Sequence, residues 1–228
     1  MSKRKTAKYV GIIVLVIVSL ALIFNQKIKS YLIESYHPNI SATQVKKNRH
    51  KAAKYNYGEV KELTMANVAK ARAKGKDLPI VGVISMPSID MTLPITNGVS
   101  NQNLALSAGT LRPDVKMGQG NYALAGHNMS NLGPKTLFSP LYYKGKVGQM
   151  IYVTDLKHVY EYRVTQKQFV SKYRTDLVQN TKEKMITLIT CDATGANRLM
   201  VRGTYVKKMS YRHAPASVRK ALSHQYNY

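Results

Sequence analysis

The sequence is poor in residues that staple or coordinate. Cys191 is the one cysteine in 228 residues, so no intrachain disulfide forms, and any zinc or iron–sulfur site needing two thiolates from this chain is excluded. Tryptophan is absent and phenylalanine occurs three times, yet sixteen tyrosines bring the aromatic share to 8%, ordinary for a globular chain. Acid is scarce, with 11 Asp and Glu against 35 Lys and Arg and a formal charge of +24. So few acids, with no visible convergence, give a paired-carboxylate mechanism little support, while the excess of cations favours anionic polymers or membrane surfaces as partners. Only 14 Gly and 8 Pro occur, too few for a low-complexity chain, and a 44% hydrophobic content at this length suffices for one sizeable core. Also missing are a G-x-S-x-G elbow, a Walker A loop, G-x-G-x-x-G and H-E-x-x-H, which removes the usual hydrolase, nucleotide and zinc-protease readings.

The chain does have one long apolar run. After Lys3, Arg4, Lys5 and Lys8 come sixteen uncharged residues, Tyr9 to Phe24, about 24 Å as a helix against a hydrocarbon core of about 30 Å. Leading cations hold such an N-terminus in the cytoplasm, and the following NQKIKSYLI offers no small-x-small cleavage site. The expected organisation is a cytoplasmic basic segment over 1–8, a transmembrane signal-anchor over 9–25 and the remainder outside, at the cell membrane as a single-pass protein. A cleaved signal peptide and a buried core helix are the competing readings. The remainder keeps 31 cations against all 11 acids, suited to phosphate-rich wall polymers and anionic lipids.

Residues 26–76, rich in Lys, Asn and Ala, read as a stalk with a leading helix over Glu59 to Lys74 that Gly75 stops. From Leu78 the pattern changes to short β-branched runs cut by Pro79, Pro87 and Pro94. Further strand-like runs follow at Tyr122 to Ala125, Met150 to Thr154, Val159 to Thr165, Met185 to Thr190 and Arg198 to Val206. Short strands with little helix between them predict an all-β domain over 77–208, an antiparallel or mixed barrel or sandwich and not a doubly wound fold. The tail over 209–228 is basic and polar, with helix from Pro215.

Three residues stand at strand ends. Cys191 closes Thr187-Leu-Ile-Thr-Cys191, where alternation sets Leu188 and Thr190 on one face and Thr187, Ile189 and Cys191 on the other. His127 follows the run Ala123-Leu-Ala-Gly126. Arg198 opens the next strand after a six-residue loop, at the same rim as Cys191, where a guanidinium can hold an oxyanion; Arg202 lies about 13 Å further along. By position alone the bland readings stand beside these: a small buried hydrophobe, a satisfied imidazole and solvated cations. None of the six histidines has metal-ligand spacing to the cysteine or to another at i, i+4 on an evident helix. No metal site and no cofactor is expected.

In order along the chain, Val81-Gly-Val-Ile-Ser-Met-Pro87, Leu93-Pro-Ile, Gly120-Asn-Tyr-Ala-Leu-Ala-Gly126-His127-Asn128, Leu137-Phe-Ser-Pro-Leu141, Thr187-Leu-Ile-Thr-Cys191 and Arg198-Leu-Met-Val resemble a class A sortase, the membrane-anchored cysteine transpeptidase of Gram-positive bacteria. The resemblance implies an eight-stranded sortase-type β-barrel with short helices. It implies cleavage of a Leu-Pro-x-Thr-Gly sorting signal between Thr and Gly, with Cys191 as nucleophile, His127 as general acid and base, and Arg198 steadying the oxyanion. Thr190, Ala125, Ile189 and Val170 would contact substrate, Val170 from a mobile loop. The implied partners are exported proteins bearing the signal, an amine of a lipid II-type wall precursor and the cytoplasmic membrane, not nucleic acid. Some members bind calcium through clustered acids; here Lys167, Lys172, Lys182 and Lys184 dominate that region, with Asp176 and Glu183 its acids, so no calcium dependence is expected. Against this stand a non-catalytic tethered module that binds anionic wall polymers, and a cysteine hydrolase.

Overall fold

The computed structural model describes residues 3–36, 38–56, 60–129 and 134–223, with side chains from residue 7 onward. Seven helices and eight strands follow in chain order among them: α1 (Lys3–Ile23), α2 (Asn25–Glu34), α3 (Ala42–Asn48), α4 (Met65–Ala73), β1 (Ile80–Met86), β2 (Met91–Thr96), α5 (Asn101–Leu104), β3 (Ala108–Thr110), β4 (Asn121–Ala125), α6 (Ser139–Lys144), β5 (Met150–Thr154), β6 (His158–Ser171), β7 (Met185–Cys191), β8 (Asn197–Ser210) and α7 (Ala216–Ser223). The strands close into a barrel in the order β1-β2-β3-β4-β7-β8-β6-β5. Pairing is antiparallel except at β2–β3 and β4–β7, which are parallel.

β1 is buried at every position because both its faces are covered. Ile84 and Met86 belong to the main core, whereas Val83 packs outside the barrel with Val218 and Leu222 of α7. A strand covered twice reads as a continuous apolar run instead of an alternating one. Pro94 lies inside β2, where the proline punctuation predicts a break. β2 reaches β3 only through Ile95 and Thr96, so Pro94 sits beyond that pairing, where a missing N–H is tolerated. β6 and β8 extend well past their predicted ends into a long antiparallel ribbon, from His158↔Ser210 to Ser171↔Asn197.

The described residues of 26–76, a range read as a stalk, pack against the barrel. The Thr64 hydroxyl caps α4 by accepting from the Asn67 amide at 3.2 Å, and Ser41 with Gln44 forms a capping box on α3. Val68 and Ala71 are fully buried, and with Ile33, Tyr36 and Leu63 they join the barrel's main core. The Tyr36 hydroxyl donates to the Gly75 carbonyl at 2.7 Å, and a Cβ at Gly75, two residues past the end of α4, would stand 2.8 Å from the Tyr36 ring. Asn48 donates to the Ile80 carbonyl at 2.9 Å, and Arg49 pairs with Asp155 at 3.2 Å. The leading helix is shorter than expected, and Glu59, its expected start, lies outside the described residues.

The apolar N-terminal run forms α1 and bends by 67° into α2. No single helix among the described residues is long and apolar enough to cross a membrane; the bent pair Ala7–Ile23 with Asn25–Glu34 passes that test together. In the tail, α7 docks through Val218 and Leu222, and the Thr92 hydroxyl donates to the Ala221 carbonyl at 3.1 Å. Tyr211 packs against the same cluster; residues 224–228 lie outside the described part. Because the core runs through α2 and α4, a chain starting at Gln26 is expected to melt at a higher temperature than one starting at Lys76. Equal melting temperatures by circular dichroism would contradict the docking.

Candidate active site

Cys191 is the last residue of β7, and its partner across the ladder to β8 is Arg198. Arg198 is in turn level with Val170 on β6, so the three form one row across neighbouring strands. On the other side β7 runs parallel to β4, with Ala125 opposite Ile189, and the Gly126 amide continues the ladder by donating to the Ile189 carbonyl at 3.1 Å. Carried on by two residues, that register sets His127 level with Cys191. Asn128 ties the two ends together, its Nδ2 donating to the Cys191 carbonyl at 3.1 Å.

The predicted alternation holds along β7. Leu188 belongs to the main core inside the barrel, whereas Ile189 packs in a second apolar cluster on the outer face with Ala125, Leu111 and Met200. Thr190 pairs with the core residue Leu199 and is 1% exposed, and its Oγ1 is enclosed with no hydrogen-bond partner. Its hydroxyl is therefore on the interior side of the strand, away from the face that carries Cys191. Gly126 has a steric reason to precede the histidine, since a Cβ there would lie 2.7 Å from the Phe138 ring. The Phe138 amide donates to the His127 carbonyl at 3.0 Å, which holds the imidazole's backbone from behind. Leu137, adjoining it, adopts a left-handed φ of 51°, a conformation that costs a residue with a Cβ about 1 kcal/mol.

His127 Nε2 is enclosed and has no protein partner, and burial pushes its pKa down to about 4. Burial also pushes the Cys191 thiol up; the Arg198 guanidinium opposes that and Asp192 adds to it. Near neutral pH the resting pair is therefore a thiol beside an uncharged imidazole. Arg198 donates from Nη1 to the carbonyls of Gly195 and Asn197, each at 3.0 Å, and its remaining donors have no protein partner among the described residues. The loop between β7 and β8 is organised by Asp192, whose carboxylate accepts from the amides of Thr194 and Asn197, both at 3.1 Å.

Beside this row lies a groove of about 440 Å³, lined by Val170, Ile189 and Arg198 together with Leu111, Tyr173 and Val178. Val170 reaches it from strand β6 and not from a loop. Ala125 supports it from the second apolar cluster. Tyr55, in the docked leading segment, also lines the groove and is fixed by donating to Asn97 Oδ1 at 2.8 Å. The far wall, a single turn over Thr175–Val178, is pinned from below. Asn121 Nδ2 donates to the carbonyls of Leu177 and Gln179, each at 3.0 Å, Arg202 Nη2 donates to Leu177 at 2.9 Å, and Arg112 donates to Val178. Arg202 is thus a structural tie. The sequence pattern missed Leu111, Tyr55 and Val178, each from a different segment; the one signal available was that they are apolar or aromatic side chains beside turns. Asp176 is engaged by Arg174 through two bonds of 2.8 and 2.7 Å, and no group of three or more His, Cys, Asp or Glu converges among the described residues.

The directions of the two pKa shifts fix a pH dependence. A thiol held above its ordinary 9.0 is expected to react with iodoacetamide at a rate that climbs through and beyond that value; a plateau of rapid alkylation below pH 7 would contradict a neutral pair. An imidazole whose pKa falls on folding takes up its proton more readily when unfolded. His127 therefore costs no stability above 6.5 and an increasing amount as pH falls toward about 4. In His127→Gln the fall in melting temperature over that window is expected to be shallower than in the wild type.

Three comparisons converge on one family. Residues 84–206 match the Sortase domain family model. The chain is 34% identical over 230 residues to Sortase A of Streptococcus agalactiae serotype III (strain NEM316), covering 96% of this chain and 93% of that protein. It is 39% identical over 185 residues to Sortase A of Listeria monocytogenes serovar 1/2a, covering 79% of this chain and 82% of the relative. The crystal structure of Listeria monocytogenes sortase A superposes with a TM-score of 0.58 at 36% identity, over 63% of this chain and 97% of that one. With a matching barrel, a family match over more than half its length and relatives of this identity and coverage, the chain belongs to the sortase family of transpeptidases.

Proposed function

We propose that this sortase is a membrane-anchored, class A type cysteine transpeptidase that cleaves Leu-Pro-x-Thr-Gly signals between Thr and Gly and joins the Thr carbonyl to a wall-precursor amine. The observation that carries this reading is that Cys191 is directly opposite Arg198, which lines the groove, with the unpartnered Nε2 of His127 two residues past the end of the neighbouring strand β4. The groove offers Ile189, Val170 and Leu111 to the Leu-Pro portion of a signal, and its volume suits a few residues in extended form.

In the first half-reaction Cys191 Sγ attacks the Thr carbonyl carbon while its proton passes to His127 Nε2. The electron pair displaced onto the carbonyl oxygen is stabilised by Arg198. As the Thr–Gly C–N bond breaks, His127 returns the proton to the departing glycine nitrogen, which leaves a Cys191 thioester. In the second half-reaction the incoming amine attacks the thioester and gives its proton to His127. The C–S bond breaks, the thiol is re-formed, and one amide has replaced another. The sulfur is the reacting form only as thiolate, so the ion pair is a minor state of the resting enzyme. Peptide turnover is therefore expected to show a broad optimum, falling on the acid side as His127 protonates and on the alkaline side above the thiol's raised pKa.

The anchor reading rests on the cation-led apolar helix α1 and its bend into the docked segment, with the N-terminus cytoplasmic and the barrel outside. In this reading residues 1–8 are cytoplasmic, 9–25 form the anchor, and 77–208 form the barrel domain.

Full chain in neutral detergent, supplied with a Leu-Pro-x-Thr-Gly peptide and an amine, is expected to release the glycine side and form the amine-joined product, both read by chromatography. Cys191→Ala is expected to abolish both. Arg198→Ala is expected to lower kcat by about 100-fold or more. Added calcium is expected to leave the rate unchanged. A Cys191→Ala chain that still cleaves, or a wild type that yields only hydrolysed acid in the presence of amine, would contradict the reading.

A further inference from the structure

A cavity of about 950 Å³, roughly twice the volume of the groove, opens between the docked N-terminal helices and the barrel. Among the described residues its walls carry four cations, Lys47, Lys51, Arg72 and Lys76, against one acid, Asp77. Arg72 is not a loose surface cation. Its guanidinium lies 5.4 Å from the Tyr36 ring centroid, and Nη2 donates to the carbonyl and hydroxyl oxygens of Ser35 at 3.3 and 3.4 Å. The lining also includes the apolar side chains Leu32, Ile40, Leu78 and Ile80. Leu32 belongs to α2, which continues from the apolar helix α1.

We propose that this cavity binds a phosphate group, presented by the headgroup of an anionic membrane lipid. A held guanidinium offers directed donors to phosphate oxygens, and lysines around it act as point charges. One acid among four cations leaves the walls positive, which disfavours a cationic ligand and favours an anionic one. These apolar side chains match the glycerol and first acyl carbons that follow a lipid phosphate, a fit that a free inorganic anion does not use. Lysines close to a bilayer add attraction to anionic lipid. The cysteine chemistry uses none of these residues, so occupancy would orient the barrel on the membrane without altering the intrinsic peptide reaction. The lipid source rests on the anchor reading; the phosphate site itself does not.

The test is the thermal shift of the full chain in neutral detergent with three probes: inorganic phosphate, short-chain phosphatidylglycerol and short-chain phosphatidylcholine. Phosphatidylglycerol is expected to raise the melting temperature, and phosphatidylcholine, its phosphate masked by choline, is not. The shift is expected to vanish in the triple variant Lys47→Gln, Lys51→Gln, Lys76→Gln, with peptide turnover unchanged. It is expected to persist in the charge-matched control Lys157→Gln, Lys182→Gln, Lys220→Gln. A full shift from inorganic phosphate alone, lost in the first triple variant, would keep the phosphate site and overturn its lipid source. No shift with any probe, or equal shifts in the two triple variants, would overturn the proposal. Because short-chain lipids reach the cavity without a bilayer, this outcome does not depend on whether α1 spans one.

Discussion

The ladder on either side of β7 is the constraint on which the rest depends. Antiparallel pairing to β8 brings Cys191 opposite Arg198, and parallel pairing to β4, extended by the Gly126 bond to Ile189 and the Asn128 bond to the Cys191 carbonyl, brings the chain at His127 to the same end of the sheet. A slip of one residue in either register would turn Cys191 to the interior or move His127 off its level, since alternate side chains face opposite sides of a sheet. The register is held by burial on both sides. Leu124, Leu188 and Leu199 point into the main core, while Ala125, Ile189 and Met200 fill the outer cluster. The site is therefore carried by strands and their packing more than by loops.

Burial that fixes the geometry also sets the chemistry. Enclosing His127 Nε2 and the Cys191 sulfur disfavours the charged form of each, so the protein holds an uncharged pair and generates the reactive ion pair only in the course of reaction. Arg198 opposes the thiol's shift without overcoming it. The groove beside them is kept in shape by side chains that never touch the sulfur. Asn121, Arg112 and Arg202 hold the wall over Thr175–Val178 through its backbone carbonyls, and the docked segment after α3 supplies Tyr55.

Much of this was legible in sequence, for physical reasons. β5 matches its expected range Met150–Thr154 at both ends, because turn residues bound a short β-branched run. The three residues at the rim stood out as a constellation, a thiol, an imidazole and a guanidinium each at a strand end. The docking of residues 26–76 was not legible. Their composition is that of a solvated stalk, and the few apolar anchors, Ile33, Tyr36, Leu63 and Val68, have no clean helical spacing and reveal their role only against the barrel. The groove's outer wall was hidden for a related reason, since Leu111, Val178 and Tyr55 converge from segments far apart in the chain. Thr190 is a subtler case. Alternation already set it on the face opposite Cys191, and its enclosed position on the interior side keeps its hydroxyl from the substrate contact that the resemblance implied.

The most direct measurement is the intact mass of the full chain quenched in acid shortly after mixing with a Leu-Pro-x-Thr-Gly peptide, followed by peptide mapping. The account predicts a mass increase equal to the peptide acyl fragment ending in Thr, linked through Cys191, released by hydroxylamine and absent from Cys191→Ala. An acyl group mapped to another residue, or turnover with no covalent species at any quench time, would contradict it.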